Sequence, residues 1–126
     1  MSPRLTLDVL EGRLAVCRLA PDAPLGGWMW TGPAASVTRT EAELSVVCAE
    51  RAVPEGVERE GGWRALRVRG PLAFGLTGVL ASLAAPLAEA GVPLFALSTF
   101  DTDLVLVREA DLETARAALH GAGHEA

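Results

Sequence analysis

The chain has 126 residues, of which half are apolar and 21% are charged, and its formal net charge is −5. This composition is typical of a globular protein, and the length suits one compact domain or two very small ones that share a core. The eleven basic residues are spread along the chain, so we expect no surface that tracks the phosphates of a nucleic acid.

Three features of the sequence bear on where in the cell the protein is found. The first 13 residues, MSPRLTLDVLEGR, lack the apolar segment of a signal peptide. Cys17 and Cys48 lie in apolar runs without a CxxC motif, which favours two buried free thiols in a reducing compartment. Residues 70–88 carry few charges but are rich in Gly, Ser, Thr and Pro, which indicates a core helix and not a membrane span. We therefore expect a cytoplasmic protein that does not contact a membrane.

The first half of the chain is predicted to consist of strands. Residues 5–10 and 13–19 are short apolar runs separated by a Glu-Gly pair that suits a tight turn. After a stretch rich in Pro and Gly, residues 36–40 and 43–49 are predicted to form another pair of strands, and residues 63–69 alternate as a strand with one wet face.

The second half of the chain begins with a predicted helix. Apolar residues recur at helical spacing, and Gly91 supplies the end of the helix. Pro86 lies inside this pattern and should clash with the Ser82 carbonyl, so we expect a bend there. The stripe consists of Leu76, Val79, Leu80, Leu83 and Leu87.

Two strands and a second helix are predicted to follow. Residues 92–98 and 103–108 are the strands, and the second contains four consecutive apolar residues, as a central strand covered on both faces would. The helix should start near Asp111, a suitable N-cap, and end at Gly121.

The order strand, helix, strand, strand, helix supplies five of the six elements of a ferredoxin-like βαββαβ unit, which belongs to the α+β class. The closing strand should follow His124, but the sequence stops at Ala126. Because an open sheet edge is a pairing hazard, we expect residues 5–10 or a second subunit to supply that strand.

Three segments resemble a small bacterial tandem ACT-domain family, which is similar to the ACT modules of the CASTOR cytosolic arginine sensors and of aspartate kinases. They are SVTRTEAELSVVCAE (residues 36–50), GPLAFGLTGVLASLAAPLAEAGVPLFALSTFDTDLVLV (residues 70–107) and the closing AGHE. The resemblance implies two ferredoxin-like modules that share antiparallel sheets, a mostly β module at residues 1–62 with abbreviated helices and a second at residues 63–126. It also implies a homodimer that binds a small amino acid at an interface between modules.

The hexamer STFDTD, residues 98–103, connects two predicted strands where a two-residue turn would suffice. An amino acid is a zwitterion, so its site needs an anion binder and a cation binder close together. The loop and first helical turn at residues 74–78 can bind a carboxylate, because helix N-termini present free N–H groups and a favourable dipole. The hexamer can accept the ammonium, since Asp101 or Asp103 lies at the same end of the sheet.

These arguments and the resemblance together define a candidate ligand site. In the arginine sensors, the residues that match Thr99, Phe100 and Asp103 contact the ligand. The alternative for the hexamer is that its side chains only bond their own backbone in Asx- and ST-turns. The full candidate set is Ser36, Val37, Gly75, Leu76, Thr77, Gly78, Ser98, Thr99, Phe100, Asp101 and Asp103.

Other polar and aromatic groups favour ordinary structural roles. Trp28 and Trp30, which flank Met29, are assigned to core packing or a subunit interface in preference to ligand stacking. His120 and His124 have the spacing of a helical metal pair, but glycines intervene and no third ligand is apparent, so no metal or other cofactor is expected. No catalytic constellation is recognisable.

The sequence therefore predicts a non-catalytic regulatory or sensor protein that binds an amino acid and signals to a partner protein of unknown identity. The alternative is a structural or interaction module that forms a sheet-sharing dimer without a ligand. An enzyme is the third reading, and its sign would be a buried Asp101 or Asp103 with a shifted pKa facing an open cavity.

Overall fold

The structure, a computed structural model, describes residues 4–73 and 77–126. Within these residues it contains seven strands, two α-helices and short 3₁₀ turns. The strands are β1 (Leu7–Val9), β2 (Leu14–Leu19), β3 (Ser36–Arg39), β4 (Leu44–Ala49), β5 (Glu58–Val68), β6 (Leu94–Ser98) and β7 (Asp103–Arg108), and the helices are α1 (Val79–Glu89) and α2 (Leu112–Gly121).

The chain divides into two compact units. The middle unit is Glu11–Trp63, and the terminal unit combines the residues up to Leu10 with Arg64–Ala126. Strand β5 begins in the middle unit and ends in the terminal one. The first ten residues therefore group with the C-terminal half, whereas the division expected from the sequence, at residues 62 and 63, placed them in the first module.

The terminal unit has the strand order β1-β5-β7-β6. Strand β1 pairs antiparallel with β5, with Leu7 opposite Val68, and Thr6 forms an isolated bridge to Glu125. The closing strand of the βαββαβ unit thus comes from the N-terminal segment, the first of the two expected donors. The Glu-Gly pair does not join a two-stranded hairpin, because β2 pairs with β4 and β5 instead of β1.

The core of the terminal unit lies between its sheet and the two helices. Helix α1 buries Val79, Leu83 and Leu87, which are three residues of the predicted stripe. Residues 104–107 of β7 are all buried, as predicted for a central strand covered on both faces. Gly91 has a φ of 73° and follows the end of α1, which confirms the predicted stop.

Helix α2 starts where the sequence indicates, directly after Asp111, but for another reason. The Asp111 side chain makes no capping hydrogen bond. The helix is instead held by its apolar face, on which Ala115 and Leu119 are fully buried in the core of the unit.

His124 connects three segments of the terminal unit and is 2% exposed. Its Nδ1 accepts a hydrogen bond from the Leu5 N–H at 3.1 Å, and its Nε2 lies 3.1 Å from the Ser82 carbonyl oxygen. In a regular helix the N–H of residue 86 would bond to that carbonyl, but Pro86 has none. The tautomer with its proton on Nε2 satisfies both backbone groups.

The middle unit has the strand order β3-β4-β2-β5, with 3₁₀ turns at Gly27–Trp30 and Glu50–Ala52 between strands. Met29 is 1% exposed in its core beside both cysteines, and Trp28 packs against that core. Trp30 is 58% exposed, so the aromatic cluster is divided between core and surface.

Candidate functional site

The connection between β6 and β7 is a four-residue turn. Ser98 pairs with Asp103 as the last rung of the hairpin, and the Thr99 N–H donates to the Thr102 carbonyl at 2.8 Å. The Thr99 hydroxyl lies 3.2 Å from the Thr102 N–H and 3.1 Å from its carbonyl oxygen. The Thr99 side chain therefore stabilises its own turn, as the ST-turn alternative predicts.

The turn is anchored to the end of β5 and to the segment that follows it. The Leu72 N–H donates to the Asp101 carbonyl at 2.7 Å, and the Thr102 hydroxyl donates to the Val68 carbonyl at 2.8 Å. A Cβ at Gly70 would lie 3.0 Å from the Asp101 carbonyl oxygen, so a side chain there would force the turn to move slightly away. These contacts hold the hexamer against the loop that leads to α1.

A pocket of about 240 Å³ lies beside this turn. Its walls combine residues 98–103 with Leu72, Ala73 and Val79, the first residue of α1. The structure thus brings the hexamer to the start of α1, which is the juxtaposition that the sequence predicts. Leu72 and Ala73 were missed by sequence reasoning, although their place between β5 and α1 was a usable signal. We call this pocket the hairpin pocket.

The polar groups of the hairpin pocket suit a small charged ligand. The Ser98 hydroxyl donates to Asp103 Oδ1 at 2.6 Å, which fixes one carboxylate oxygen and leaves Oδ2 available. Asp101 accepts from Leu72 through its backbone, and its side chain makes no hydrogen bond within residues 4–73 and 77–126. Asp101 and Asp103 therefore both line the pocket.

The start of α1 contributes Val79 to the same pocket. Gly78 precedes the helix with a φ of 80°, a left-handed conformation, and no side chain caps the helix there. The N–H groups of a first helical turn have no intrahelical partner, and the macrodipole favours an anion at this end. Thr77 and Gly78 are exposed, while Gly75 and Leu76 lie outside the described residues.

The remaining candidates differ in position. Phe100 lines the hairpin pocket and is 78% exposed. Ser36 and Val37 lie in β3 of the middle unit, and their part in a site remains a prediction.

The cysteines provide no reactive site. Cys17 and Cys48 are free and buried. Burial raises the pKa of the Cys17 thiol to about 11, with a smaller contribution from Cys48, and burial also raises the pKa of Cys48. Since the thiolate is the reactive form, both groups are inert near neutral pH. Among the described residues no group of three or more His, Cys, Asp or Glu side chains is arranged to hold a metal ion.

Comparison of the sequence with known protein families identifies the family to which this chain belongs. The model of the ACT domain matches residues 58–121, and a second model, for an N-terminal domain, matches residues 12–56. The chain belongs to the ACT domain family.

Two relatives resemble this ACT domain protein in sequence. The bovine cytosolic arginine sensor for mTORC1 subunit 1 is 32% identical over 133 residues, which cover 86% of this chain and 40% of the relative. The chain therefore spans less than half the length of that curated relative. The crystal structure of the protein Atu0741 from Agrobacterium tumefaciens is 39% identical, with a TM-score of 0.92, and the match covers 98% of this chain and 92% of that one.

The fold extends to more distant proteins. The ligand-free regulatory subunit of aspartate kinase from Thermus thermophilus has a TM-score of 0.66 at 12% identity, over 92% of this chain and 96% of that one. At this identity the likeness concerns the fold alone, an ACT fold with an antiparallel sheet and two helices. Neither α-helix in the described residues has the length and apolar character needed to cross a bilayer.

Proposed function

We propose that this ACT domain protein is a non-catalytic sensor that binds a free amino acid in the hairpin pocket. The observation that carries the proposal is that two carboxylates, Asp101 and Asp103, line the same pocket as the start of α1. The carboxylates would attract an ammonium group, and the helix start would attract a carboxylate.

The ligand would contact both parts of the site at once. Its carboxylate would bind the first-turn N–H groups of α1, close to Gly78, where the absence of a Cβ leaves the backbone accessible. Its ammonium would bind Asp103 Oδ2, with Asp101 as a second acceptor. The ligand carboxylate would be surrounded by the candidate residues Gly75, Leu76 and Thr77. The ligand ammonium group would be surrounded by Ser98, Thr99 and Phe100.

Ligand binding would affect a partner protein by ordering the β6–β7 turn and α1. The Leu72 N–H and the Thr102 hydroxyl tie the β6–β7 turn to the end of β5 and to the loop after it. A ligand that bridges the turn and α1 would add contacts between these two segments and favour the conformation in which both the turn and α1 are fixed. A partner protein that recognises this conformation would bind with altered affinity.

One relative supports this proposal. The bovine protein, which is 32% identical to this chain, is named as an arginine sensor. The word cytosolic in its name agrees with the cytoplasmic location proposed for this chain. We also propose that the protein forms a homodimer, and we retain Ser36 and Val37 of the middle unit as candidate ligand-binding residues.

A sheet-sharing interaction module is the second candidate. Strand β6 is the last strand of the terminal sheet, and its sequence LFALS carries no charged residue that would discourage pairing with another chain. In this case the exposed Phe100 would contact a protein and not a ligand.

A thermal-shift screen against the standard amino acids at millimolar concentration tests the proposal. A ligand at about one hundred times its dissociation constant adds roughly 2.7 kcal/mol, which corresponds to a rise in Tm of about 10 °C for a chain of this size. The shift should be lost in Asp103→Asn, which keeps the shape of the side chain and removes its charge. It should persist in Asp22→Asn, since Asp22 is an exposed residue of the middle unit. A screen with no selective shift would favour the interaction module.

A further inference from the structure

A second pocket of the terminal unit adjoins the β6–β7 turn at Asp101 and Thr102. It has a volume of about 420 Å³ and is lined by Asp8, residues 67–71, Asp101 and Thr102. Its volume falls within the range of about 300–1,000 Å³ typical of small-molecule sites. We call it the β1–β5 pocket, and it shares Asp101 and Thr102 with the hairpin pocket.

The strand register gathers charged side chains on one face of the sheet. Asp8 of β1 lies directly opposite Arg67 of β5, so both side chains project from the same face. Arg69 lies two residues further along and shares this face. Two guanidinium groups and one carboxylate therefore meet at one wall of the pocket.

Asp8 and Arg69 neutralise each other. Arg69 Nε lies 3.1 and 3.0 Å from the two oxygens of Asp8, and Nη2 lies 2.8 Å from Oδ1. The hydrogen bonds from Arg69 lower the pKa of Asp8, and Arg67 adds a weaker lowering through its charge. Both oxygens of Asp8 are thus engaged, and the carboxylate is ionised at neutral pH.

One opposite pair of charges remains in the pocket. Among the residues that the structure describes, the Arg67 guanidinium has no hydrogen-bond acceptor and no ion-pair partner within bonding distance, and both Arg67 and the Asp101 carboxylate are exposed. A guanidinium fork matches the geometry of a carboxylate, and an aspartate matches an ammonium group. The unpaired charges are therefore complementary to a small zwitterion.

We propose that the β1–β5 pocket is a second amino-acid site, in which Arg67 binds the α-carboxylate and Asp101 binds the α-ammonium group. The two sites share the wall formed by Asp101 and Thr102, so occupancy of one pocket changes the affinity of the other. This proposal does not require the hairpin pocket to bind a ligand.

The test is an NMR titration of the full chain with L-alanine, followed through the backbone amide signals. We expect shifts at residues 8, 67, 69 and 70, which line only the β1–β5 pocket, whereas occupancy of the hairpin pocket would shift residues 72, 73, 98–100 and 103. Arg67→Gln should lower the affinity for alanine, measured from the first group of shifts, by about ten- to hundredfold, which is the loss expected when a charged hydrogen-bond partner is removed. Arg51→Gln is the matched control, because Arg51 is an exposed residue of the middle unit.

Propionate and ethylamine, each of which carries one of the two charged groups, separate the roles of Arg67 and Asp101. We expect both to bind more weakly than L-alanine. The proposal is overturned if the amides of residues 67–70 do not respond at tens of millimolar alanine, if Arg67→Gln responds like the unsubstituted protein, or if propionate binds as tightly as alanine. Ser98→Ala distinguishes the two sites. It should alter the signals of the hairpin pocket and the effect of that pocket on the β1–β5 pocket, but not the binding of alanine in the β1–β5 pocket itself.

Discussion

Replacing His124 by alanine should destabilise the terminal unit markedly. The imidazole is 2% exposed and bonds to the Leu5 N–H and the Ser82 carbonyl, both at 3.1 Å. A buried backbone group that loses its partner costs about 1–3 kcal/mol, although Ser82 is partly exposed and can recruit water. We therefore expect His124→Ala to lower the free energy of unfolding by about 2–4 kcal/mol. Urea unfolding followed by circular dichroism measures this change.

Pro86 makes the prediction specific to one hydrogen bond. The Ser82 carbonyl needs an outside donor because Pro86 has no N–H, and Pro86→Ala would restore the regular helical donor. In a Pro86→Ala background, His124→Ala should consequently cost about 1 kcal/mol less than in the unsubstituted chain.

An exposed histidine provides the control for this double-mutant cycle. His120 lies one helical turn before His124 and is exposed, so His120→Ala should change the free energy of unfolding by no more than about 0.5 kcal/mol. If the effects of Pro86→Ala and His124→Ala simply add, or if His124→Ala costs no more than His120→Ala, the account of the Ser82 carbonyl is wrong.

Three further outcomes are expected. The pKa of Asp8 in the folded protein is lowered chiefly by hydrogen bonds from Arg69, so the ionised carboxylate stabilises the fold above the unfolded pKa of 3.8, and this stabilisation is lost as the pH falls through the lower folded pKa. Asp8→Asn should therefore flatten the acid side of a curve of stability against pH. An unchanged curve contradicts this. The pKa of Cys17 is raised from 9.0 to about 11, so the stability of the fold should decline as the pH rises between these two values. At a pH near 8, a thiol reagent should modify the folded protein far more slowly than the unfolded protein. Equal modification rates would refute the burial argument. Gly61→Ala should cost about 1 kcal/mol, because its Cβ would displace the end of the Glu50 side chain, whose Oε1 accepts a hydrogen bond from the Gly62 N–H at 2.8 Å. The cost should be smaller in a Glu50→Ala background when both are compared by urea unfolding; an equal cost in the two backgrounds would place the effect elsewhere.

Local patterns in the sequence predict most of the elements of the terminal unit. The helical stripe and Gly91 indicate α1 and its end, and the four consecutive apolar residues of β7 indicate a strand covered on both faces. These predictions are confirmed because each depends on residues close together in the chain, where backbone geometry sets the spacing.

The origin of the closing strand was left open by the same patterns. Residues 5–10 have a strand-like sequence, but nothing local decides between a second subunit and β5 as their partner. Only the fold decides, since pairing of β1 with β5 requires residues about sixty positions apart to meet. The donor to the Ser82 carbonyl is of the same kind: the sequence marks the helix as disturbed at Pro86, but the residue that replaces the missing N–H, His124, lies 38 positions further along.

The candidate site divides in a similar way. The sequence alone determined that the hexamer at residues 98–103 is too polar for a minimal turn, and the topology implied that it meets the start of α1. The tertiary structure decided how its side chains are used: Thr99 bonds its own turn, Thr102 anchors that turn to Val68, and Asp103 keeps one carboxylate oxygen free. Composition and spacing specify which groups are available, whereas packing and long-range hydrogen bonds determine which of them remain for a ligand.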